Sequence, residues 1–380
     1  MKINDKTSHN SPSIRFPEFT GEWEKCVLGD YGKVVTGNTP PTKDIENYEN
    51  GTYLWASPAD LGTHKLISET KTKLSSKGFT KTRPLSKGSV LVTCIGSTIG
   101  KTGMATREMS TNQQINSIVV NENNDNEFVY YVVQSAFPHY LSSIAVQAVP
   151  IISKSSFELL PSKRPSLQEQ NKIGKFLSLL DERISTQHRL IEDLKKLRCA
   201  VSNKLFQSVK GVVIPLSGIS NIVKGKQING DFLAEVGEYY VMNGGTEPSG
   251  YYDNYNVEAN TISISEGGNS CGYVQFNRMP FWSGGHCYTI QDIVSDVETL
   301  YLYHYLKSKE DSIMKLRIGT GLPNIQKKDL AEFKVIIPAI EQQRTISNIL
   351  SLLERKTEIE GRMLISMRTE KQYLLHQMFI

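Results

Sequence analysis

The chain carries the same long helical segment twice, at an interval of 173 residues. Residues 166–206 align without gaps on residues 339–379. In both copies apolar residues recur at alternating spacings of four and three, which is the period of a coiled coil. One such helix could simply pack on its own domain. Two matched helices, each ending one half of the chain, favour pairing with each other, so the repeat predicts two similar globules on two paired helices.

We place the seam of this coiled coil at the apolar positions of the two segments. In the first helix these are Ile173, Leu177, Leu180, Ile184, Ile191, Leu194, Val201 and Leu205. In the second helix they are Ile346, Leu350, Leu353, Leu364, Met367, Leu374 and Met378.

The segments before the helices repeat more weakly. VPIISKSSFELLPSKRP at 149–165 matches LPNIQKKDLAEFKVIIP at 322–338, and an aromatic-rich helix candidate precedes each. Further upstream, turns rich in Gly, Asn and Ser indicate β-structure. We therefore predict a mixed α/β (α+β) fold with two similar globules. They are separated by two long helices that pair as an antiparallel coiled coil, in a pseudo-two-fold internal repeat.

A glycine-rich stretch, LVTCIGSTIGKTG at 91–103, raises the question of a nucleotide site. The phosphate-binding loop of nucleotide hydrolases has four residues between its two glycines and a helix after its lysine. Here Gly96 and Gly100 enclose one residue too few. The sequence that follows also lacks the apolar period of a helix.

The second half of the chain contains a matching turn. Gly268–Gly272 aligns with the first turn, and Tyr273 stands where the first turn has Lys101. A nucleotide site would not be expected to lose its lysine in one copy. We therefore favour a glycine-rich turn between two strands, with a nucleotide-binding enzyme built on Gly96–Thr102 as the alternative.

Composition and cysteine use exclude several other classes. Hydrophobic residues make up 39% and charged residues 22% of the chain, as in ordinary soluble proteins. No apolar run approaches the roughly eighteen residues of a membrane span, so we expect a cytoplasmic protein that begins with a disordered tail. The five cysteines and seven histidines are scattered. Neither disulfides nor a metal site is expected from their spacing.

Charge is distributed unevenly along the chain. The net charge is only +4, yet residues 63–107 hold nine Lys or Arg against one acid. Such a segment attracts a polyanion, although a solvated surface is the simpler alternative. The second globule, residues 208–338, is net negative, so a face that binds a polyanion there would be local. The candidates are residues 307–328 and KGKQING at 224–230.

Several stretches resemble one known family. They are IRFPEFTGEWEKCVLGDYGKVVTGNTP, the glycine turn GSVLVTCIGSTIGKTG, NQQIN, and the helix openings EQNKIGKFLSLLDE and EQQRTISNILSLLE. With these motifs, the chain resembles the specificity subunits (HsdS family) of type I restriction-modification systems over nearly its whole length. The paired helix openings are the specific part of the resemblance, because glycine turns alone are common.

The resemblance implies a domain organisation and a function. After a tail at 1–13, target recognition domains would occupy 14–165 and 208–338, with conserved spacer helices at 166–207 and 339–380. Each recognition domain would read one half of a bipartite, asymmetric DNA site, and the coiled coil would set the spacer between the halves. A purely structural coiled-coil adaptor that does not bind DNA is the other alternative.

The resemblance also implies partners and the absence of catalysis in this chain. Two methyltransferase (modification) subunits would use S-adenosylmethionine to methylate adenines in double-stranded DNA. Restriction/translocase subunits would use ATP and Mg, and this chain would hold no cofactor or metal. In agreement, NTPPTK at 38–43 has its prolines misplaced for an adenine-methyltransferase motif.

Candidate DNA contacts follow from the turns and from residue chemistry. Asn, Gln, Arg and Lys read base edges, whereas Ser, Thr and Lys contact phosphates. In the first globule we predict Thr36, Asn38, Ser97, Thr98, Lys101, Asn112, Gln113 and Gln114. In the second we predict Lys224, Lys226, Asn243, Asn269, Ser270, His286, Arg317 and Lys327.

Overall fold

The computed structural model describes residues 11–143, 151–319, 321 and 323–379. Most of the expected tail, residues 1–13, lies outside the described residues. The chain divides into two units: the first comprises the residues up to Gln187 together with those from Met363 onwards, and the second comprises His188–Arg362. Each unit takes in part of both long helices. The domain limits expected from the sequence therefore remain predictions.

In the first unit a mixed sheet with the strand order β2-β9-β6-β7-β4 is the largest, and only its β4–β7 pair is parallel. Smaller sheets have the orders β5-β3-β8 and β1-β10. The strands are β1 (Glu24–Val27), β2 (Gly32–Thr36), β3 (Tyr53–Ala56), β4 (Leu66–Ile67), β5 (Thr72–Leu74), β6 (Val90–Thr93), β7 (Thr102–Ala105), β8 (Ser110–Thr111), β9 (Ile115–Val120) and β10 (Pro161–Arg164). The helices that begin here are α1 (Ser76–Thr80), α2 (Asn126–Ser143), α3 (Lys154–Glu158) and α4 (Leu167–Ser208).

The second unit repeats the central part of this arrangement. Its antiparallel sheet β12-β18-β15-β16 corresponds to β2-β9-β6-β7, and β11-β19 corresponds to β1-β10; the third sheet has the order β14-β13-β17. The strands are β11 (Val212–Pro215), β12 (Asn221–Lys224), β13 (Tyr239–Met242), β14 (Tyr251–Tyr252), β15 (Thr261–Ser265), β16 (Val274–Asn277), β17 (Trp282–Ser283), β18 (Cys287–Gln291) and β19 (Lys334–Ile337). The helices are α5 (Thr299–Ser308), α6 (Glu310–Met314), α7 (Lys327–Ala331) and α8 (Ile340–Met378).

Strand β6 is a continuous apolar run because its sheet is covered on both faces. Val90 and Val92 pack in the core that contains Phe128 of α2. Leu91, which points to the opposite face, packs with Leu54 of β3. Successive side chains of a strand alternate between the two faces, so a strand buried on both shows no polar alternation. This placement fixes the turn after β6 against the rest of its unit.

Both long helices begin and end within two residues of the limits of the repeated segments. All the seam residues named from the sequence are buried or half-buried. In the first unit Asp181 of α4 contacts Lys371 of α8, with Oδ1 2.7 Å from Nζ. In the second unit Arg198 of α4 contacts Glu354 of α8 at 3.3 Å. Contacts that advance along α4 retreat along α8, so the helices are antiparallel. The expected mixed fold with an antiparallel coiled coil is confirmed.

Each unit also bonds its globular part to the helices through a tyrosine. In the first unit the Tyr131 hydroxyl of α2 donates to Oδ2 of Asp181 at 2.6 Å. In the second unit the Tyr303 hydroxyl of α5 donates to Oε1 of Glu354 at 2.8 Å. The carboxylates that bind the partner helix therefore also bind the globular part of their own unit.

A buried glutamine anchors the start of each long helix. Oε1 of Gln170 accepts from the backbone N–H of Asp125 at 3.1 Å, and Oε1 of Gln343 accepts from that of Glu298 at 2.8 Å. Each amide nitrogen also donates to the carbonyl of the proline that precedes its helix. Because buried polar groups are costly when unpaired, these bonds fix where each helix leaves its globule.

Candidate nucleic-acid interface

Two glycine turns close the central hairpins of the two units. One joins β6 to β7 through Gly96 and Gly100, and the other joins β15 to β16 through Gly268 and Gly272. All four glycines have φ between +75° and +95°, a region that favours glycine. In each turn the last glycine donates its N–H to the carbonyl of the last residue of the preceding strand, at 2.9 Å and 2.8 Å. The turns are thus the same backbone structure.

This geometry does not support the nucleotide-binding alternative. A phosphate-binding loop opens a helix whose N-terminal N–H groups face the phosphates. Lys101 is instead followed by strand β7, which pairs antiparallel with β6. Within the described residues no cluster of His, Cys, Asp and Glu could hold a metal ion. Nor is any described helix both long and apolar enough to cross a bilayer.

Four of the predicted contact residues of the first unit lie at its turn. Ser97, Thr98 and Lys101 are part of the turn, and Ser97 and Lys101 are exposed. Gln114 lies beside them, because its carbonyl accepts from the N–H of Cys94, the residue between β6 and the turn, at 2.8 Å. The structure therefore brings together residues that are up to 17 positions apart in sequence.

The other four predicted residues of this unit make internal hydrogen bonds. The side chain of Asn112 is buried and bonds to Gln114: its Oδ1 accepts from the backbone N–H of Gln114 at 3.0 Å, and its Nδ2 donates to Oε1 of Gln114 at 3.0 Å. The Thr36 hydroxyl donates to an asparagine of β9 at 2.6 Å. Asn38 donates to the carbonyl that follows α1, and the exposed Gln113 accepts from a threonine hydroxyl. Their DNA contacts remain predictions.

The second unit assembles an equivalent set of side chains. Asn269 and Ser270 lie in the turn, and the Ser270 hydroxyl donates to a backbone carbonyl at 3.0 Å. The exposed His286 lies where the first unit has Gln114, because its carbonyl accepts from the N–H of Glu266 at 2.9 Å. Oδ1 of Asn243 accepts from the N–H of His286 at 3.1 Å.

The four basic residues predicted for this unit have different surroundings. Lys224 forms an ion pair with Oε1 of Glu266 at 2.6 Å. Lys226 is exposed, and its carbonyl accepts from the indole N–H of a tryptophan. Arg317 and Lys327 are exposed on the segment that runs from α6 to α7, part of which pairs with the turn. Of these four side chains, that of Lys224 bonds to a residue beside the turn, Glu266.

The sequence matches the family described as Type I restriction modification DNA specificity domain, over residues 20–196 and again over residues 209–366. The chain belongs to this family. The two matches fall on the two halves of the repeat, as expected for specificity subunits with tandem recognition domains.

Two relatives and one solved structure of this type are similar to the chain. The MjaVIII specificity subunit of Methanocaldococcus jannaschii is 23% identical over 91% of this chain and 89% of its own. A protein of Mycoplasma pneumoniae described as a type I specificity subunit is 31% identical over 43% of this chain, which spans 44% of that relative. The crystal structure of the type I S subunit from M. genitalium superposes with a TM-score of 0.70 at 21% identity, covering 97% of this chain and 99% of that one.

Sequence reasoning missed two positions beside each turn. The carboxylate of Glu266 lies in the second unit at the position of Cys94 in the first. The Tyr288 hydroxyl bonds to Oε1 of Glu266 at 3.1 Å and to a backbone carbonyl at 3.2 Å. Asn116 is its counterpart in the first unit and donates to the equivalent carbonyl at 3.5 Å. Burial raises the pKa of Cys94 to about 12, so the thiol stays neutral. Their only sequence signal is their place in the repeat.

In the folded protein, the positive charge of residues 63–107 is partly neutralised by acidic residues. Lys77 and Lys81 pair with Asp44, Lys65 pairs with Glu127, and Lys77 also pairs with Glu46. These acids all lie outside residues 63–107. The charge count within one segment therefore overstates the field that DNA would meet, because folding brings in counter-charges from elsewhere in the chain.

The turn geometry predicts that Gly272→Ala destabilises the protein more than Gly268→Ala. Both have positive φ, which costs an L-residue about 1–2 kcal/mol. A Cβ at Gly272 would also lie 2.9 Å from Cα and 3.0 Å from N of Met314, whereas one at Gly268 would meet open space. Thermal unfolding of the two variants checks this. Equal losses of stability would contradict the close approach of α6 to the turn.

Proposed function

We propose that this specificity subunit reads a bipartite, asymmetric DNA sequence through its two globules. The observation that carries the proposal is the repeated turn. Two units share one backbone framework, yet the side chains around it are Thr36, Cys94 and Gln114 in one and Lys224, Glu266 and His286 in the other. Direct readout requires different donors and acceptors for different bases. A reader of two unlike half-sites would have this construction.

The chain contributes recognition and no catalysis in this proposal. Methyl transfer from S-adenosylmethionine would take place in two modification subunits, and ATP and Mg would serve the restriction subunits. The sixteen candidate contacts named from the sequence remain proposals. We expect the exposed side chains among them to contact DNA and the buried Asn112 to orient Gln114.

We further propose that the long helices carry two equivalent docking sites for the modification subunits. Exposed apolar residues recur on α4 and α8 at the repeat interval: Leu179 is 54% exposed and Leu352 is 67% exposed. Phe176 and Ile349 form a second such pair, at 39% and 38%. Exposed apolar side chains at matched positions are typical of a partner surface, and a matched pair fits two copies of one partner.

The helices would also set the distance between the half-sites. The seam and the carboxylate contacts of Asp181 and Glu354 hold each unit on a defined part of the coil. A coiled coil of constant register has a fixed rise of about 1.5 Å per residue. Its length therefore specifies one spacer between the two halves of the target.

Exchange of one globule tests whether the two globules recognise their half-sites independently. Residues 211–338 are replaced by the equivalent segment of another specificity subunit, and methylated adenines are mapped in cells that also carry the modification subunits. We expect one half-site to change and the other to persist. A simultaneous change in both would contradict independent reading, and the absence of any sequence-dependent methylation or DNA retention would favour a structural adaptor.

Serine at the exposed leucines tests the docking sites. Leu179→Ser or Leu352→Ser alone should leave one modification subunit bound per chain, and the double variant should reduce co-purification of that subunit by at least about tenfold. Leu159→Ser is the matched control, because Leu159 is 70% exposed but lies outside the long helices. Full assembly by the double variant would place the docking site elsewhere.

Deletion of one heptad from each helix tests whether the coiled coil sets the distance between the half-sites. Removing residues 184–190 and 362–368 keeps the seam in register and retains both the Asp181–Lys371 and the Arg198–Glu354 contacts. The coil shortens by about 10 Å, which corresponds to roughly three base pairs of DNA at about 3.4 Å each. Methylation assays across targets with varied spacers should show loss of the original spacer. An unchanged preference would mean that another element sets the distance.

A further inference from the structure

One residue in each unit lies over its glycine turn and is held in the same way. The backbone N–H of Gln114 donates to Oδ1 of Asn112 at 3.0 Å, and that of His286 donates to Oδ1 of Asn243 at 3.1 Å. These asparagines are not equivalent in the repeat: one lies two residues upstream, and the other follows β13. The carbonyls of Gln114 and His286 both accept from the residue between strand and turn. Two different asparagines thus serve one purpose, which is to orient residue 114 or 286.

The side chain of His286 faces the one oxygen of a carboxylate that has no hydrogen bond. Glu266 is 8% exposed, and its Oε2 is buried without a partner. Nδ1 of His286 lies 3.6 Å from that oxygen, while 64% of the histidine side chain is exposed. A buried acceptor of this kind is costly when unpaired. A small rotation of the imidazole would supply an Nδ1–H donor and satisfy it.

The other oxygen of Glu266 is fully used. Oε1 accepts from Nζ of Lys224 at 2.6 Å and from the Tyr288 hydroxyl at 3.1 Å. A lysine ammonium can only donate. The two ends of the carboxylate are therefore distinct: one faces donors on β12 and β18, and the other faces His286.

We propose that Glu266 is a positioning residue that sets the hydrogen-bonding polarity of His286, which reads an exocyclic amino group of adenine or cytosine in the second half-site. This inference rests on the proposed function. The histidine tautomer is set by the hydrogen bond that its other ring nitrogen makes. With Nδ1–H directed at Glu266, Nε2 of the neutral imidazole points outward as an acceptor. In the major groove, adenine N6 and cytosine N4 are the donors that such an acceptor distinguishes from guanine O6 and thymine O4.

The variant Glu266→Gln provides a directional test. Lys224 forces the amide oxygen to take the place of Oε1, so the amide N–H₂ takes the place of Oε2 and donates to Nδ1. The ring proton then moves to Nε2, which becomes a donor. The preferred base at the contacted position should change from adenine or cytosine to guanine or thymine.

The experiment uses the chain assembled with its modification subunits and a duplex library randomised over both half-sites, at pH 8.5. That pH lies well above the ordinary pKa of histidine. Methylated molecules are sequenced for the wild type, Glu266→Gln, His286→Ala and Glu258→Gln, the last being an exposed carboxylate of the same unit. The first half-site serves as an internal control for folding and assembly.

We expect the preference at one position of the second half-site to reverse by about tenfold in Glu266→Gln. At the same position it should fall to within about twofold among bases in His286→Ala, while Glu258→Gln and the first half-site stay unchanged. An unaltered preference in Glu266→Gln or His286→Ala, a uniform loss of methylation, or a wild-type preference for guanine or thymine there would overturn the inference. Methylation by the wild type without any sequence preference would instead overturn the proposed function.

Discussion

The arrangement of each unit depends on one carboxylate of a long helix. Asp181 and Glu354 each accept from a tyrosine of the globular part and from a cation of the partner helix. Hydrogen bonds to a charged group contribute about 1.5–3 kcal/mol, more than an exposed ion pair. Burial raises the pKa of Tyr131 and of Tyr303, and the adjacent carboxylate raises it further. Both phenols therefore remain donors at all physiological pH values. The carboxylates thus fix how each helix is rotated against its globule.

Sequence reasoning located the helices and turns well, because their signals are local. The 3.5-residue period of apolar residues predicts a buried seam directly. Helices α4 and α8 begin within one residue of the start of the repeated segments. The glycine-rich turns between strands were predicted in the same way, and Gly96 and Gly268 have positive φ there. The charged surface was not predictable by counting. Lys77 and Lys81 meet Asp44 only after folding has brought together two segments that are distant in sequence.

The position of the candidate site in the fold was predicted from the sequence, whereas the contacts made by its residues were predicted less well. The turns were predicted because the repeat aligns them, whereas Gln114 and His286 were named as separate candidates and only the structure places them at equivalent positions. Asn112 matched the expected chemistry of a base-reading residue, but it is buried and its side chain bonds to Gln114. Glu266 was missed because an alignment scores similarity, and its counterpart Cys94 is a neutral thiol. What the two units share at that position is a backbone hydrogen bond, which sequence comparison does not register.

The differences between the two units are coupled by electrostatics. Replacing a buried thiol by the carboxylate of Glu266 would cost several kcal/mol without a counter-charge. The second unit supplies Lys224 where the first has Thr36, and the hydroxyl of Tyr288 where it has Asn116. The carboxylate is unfavourable without these partners, because it would lie buried and unpaired beside the turn. In this fold, a carboxylate facing residue 286 therefore requires a matched set of neighbouring residues, while the glycine turn and its backbone bonds stay constant.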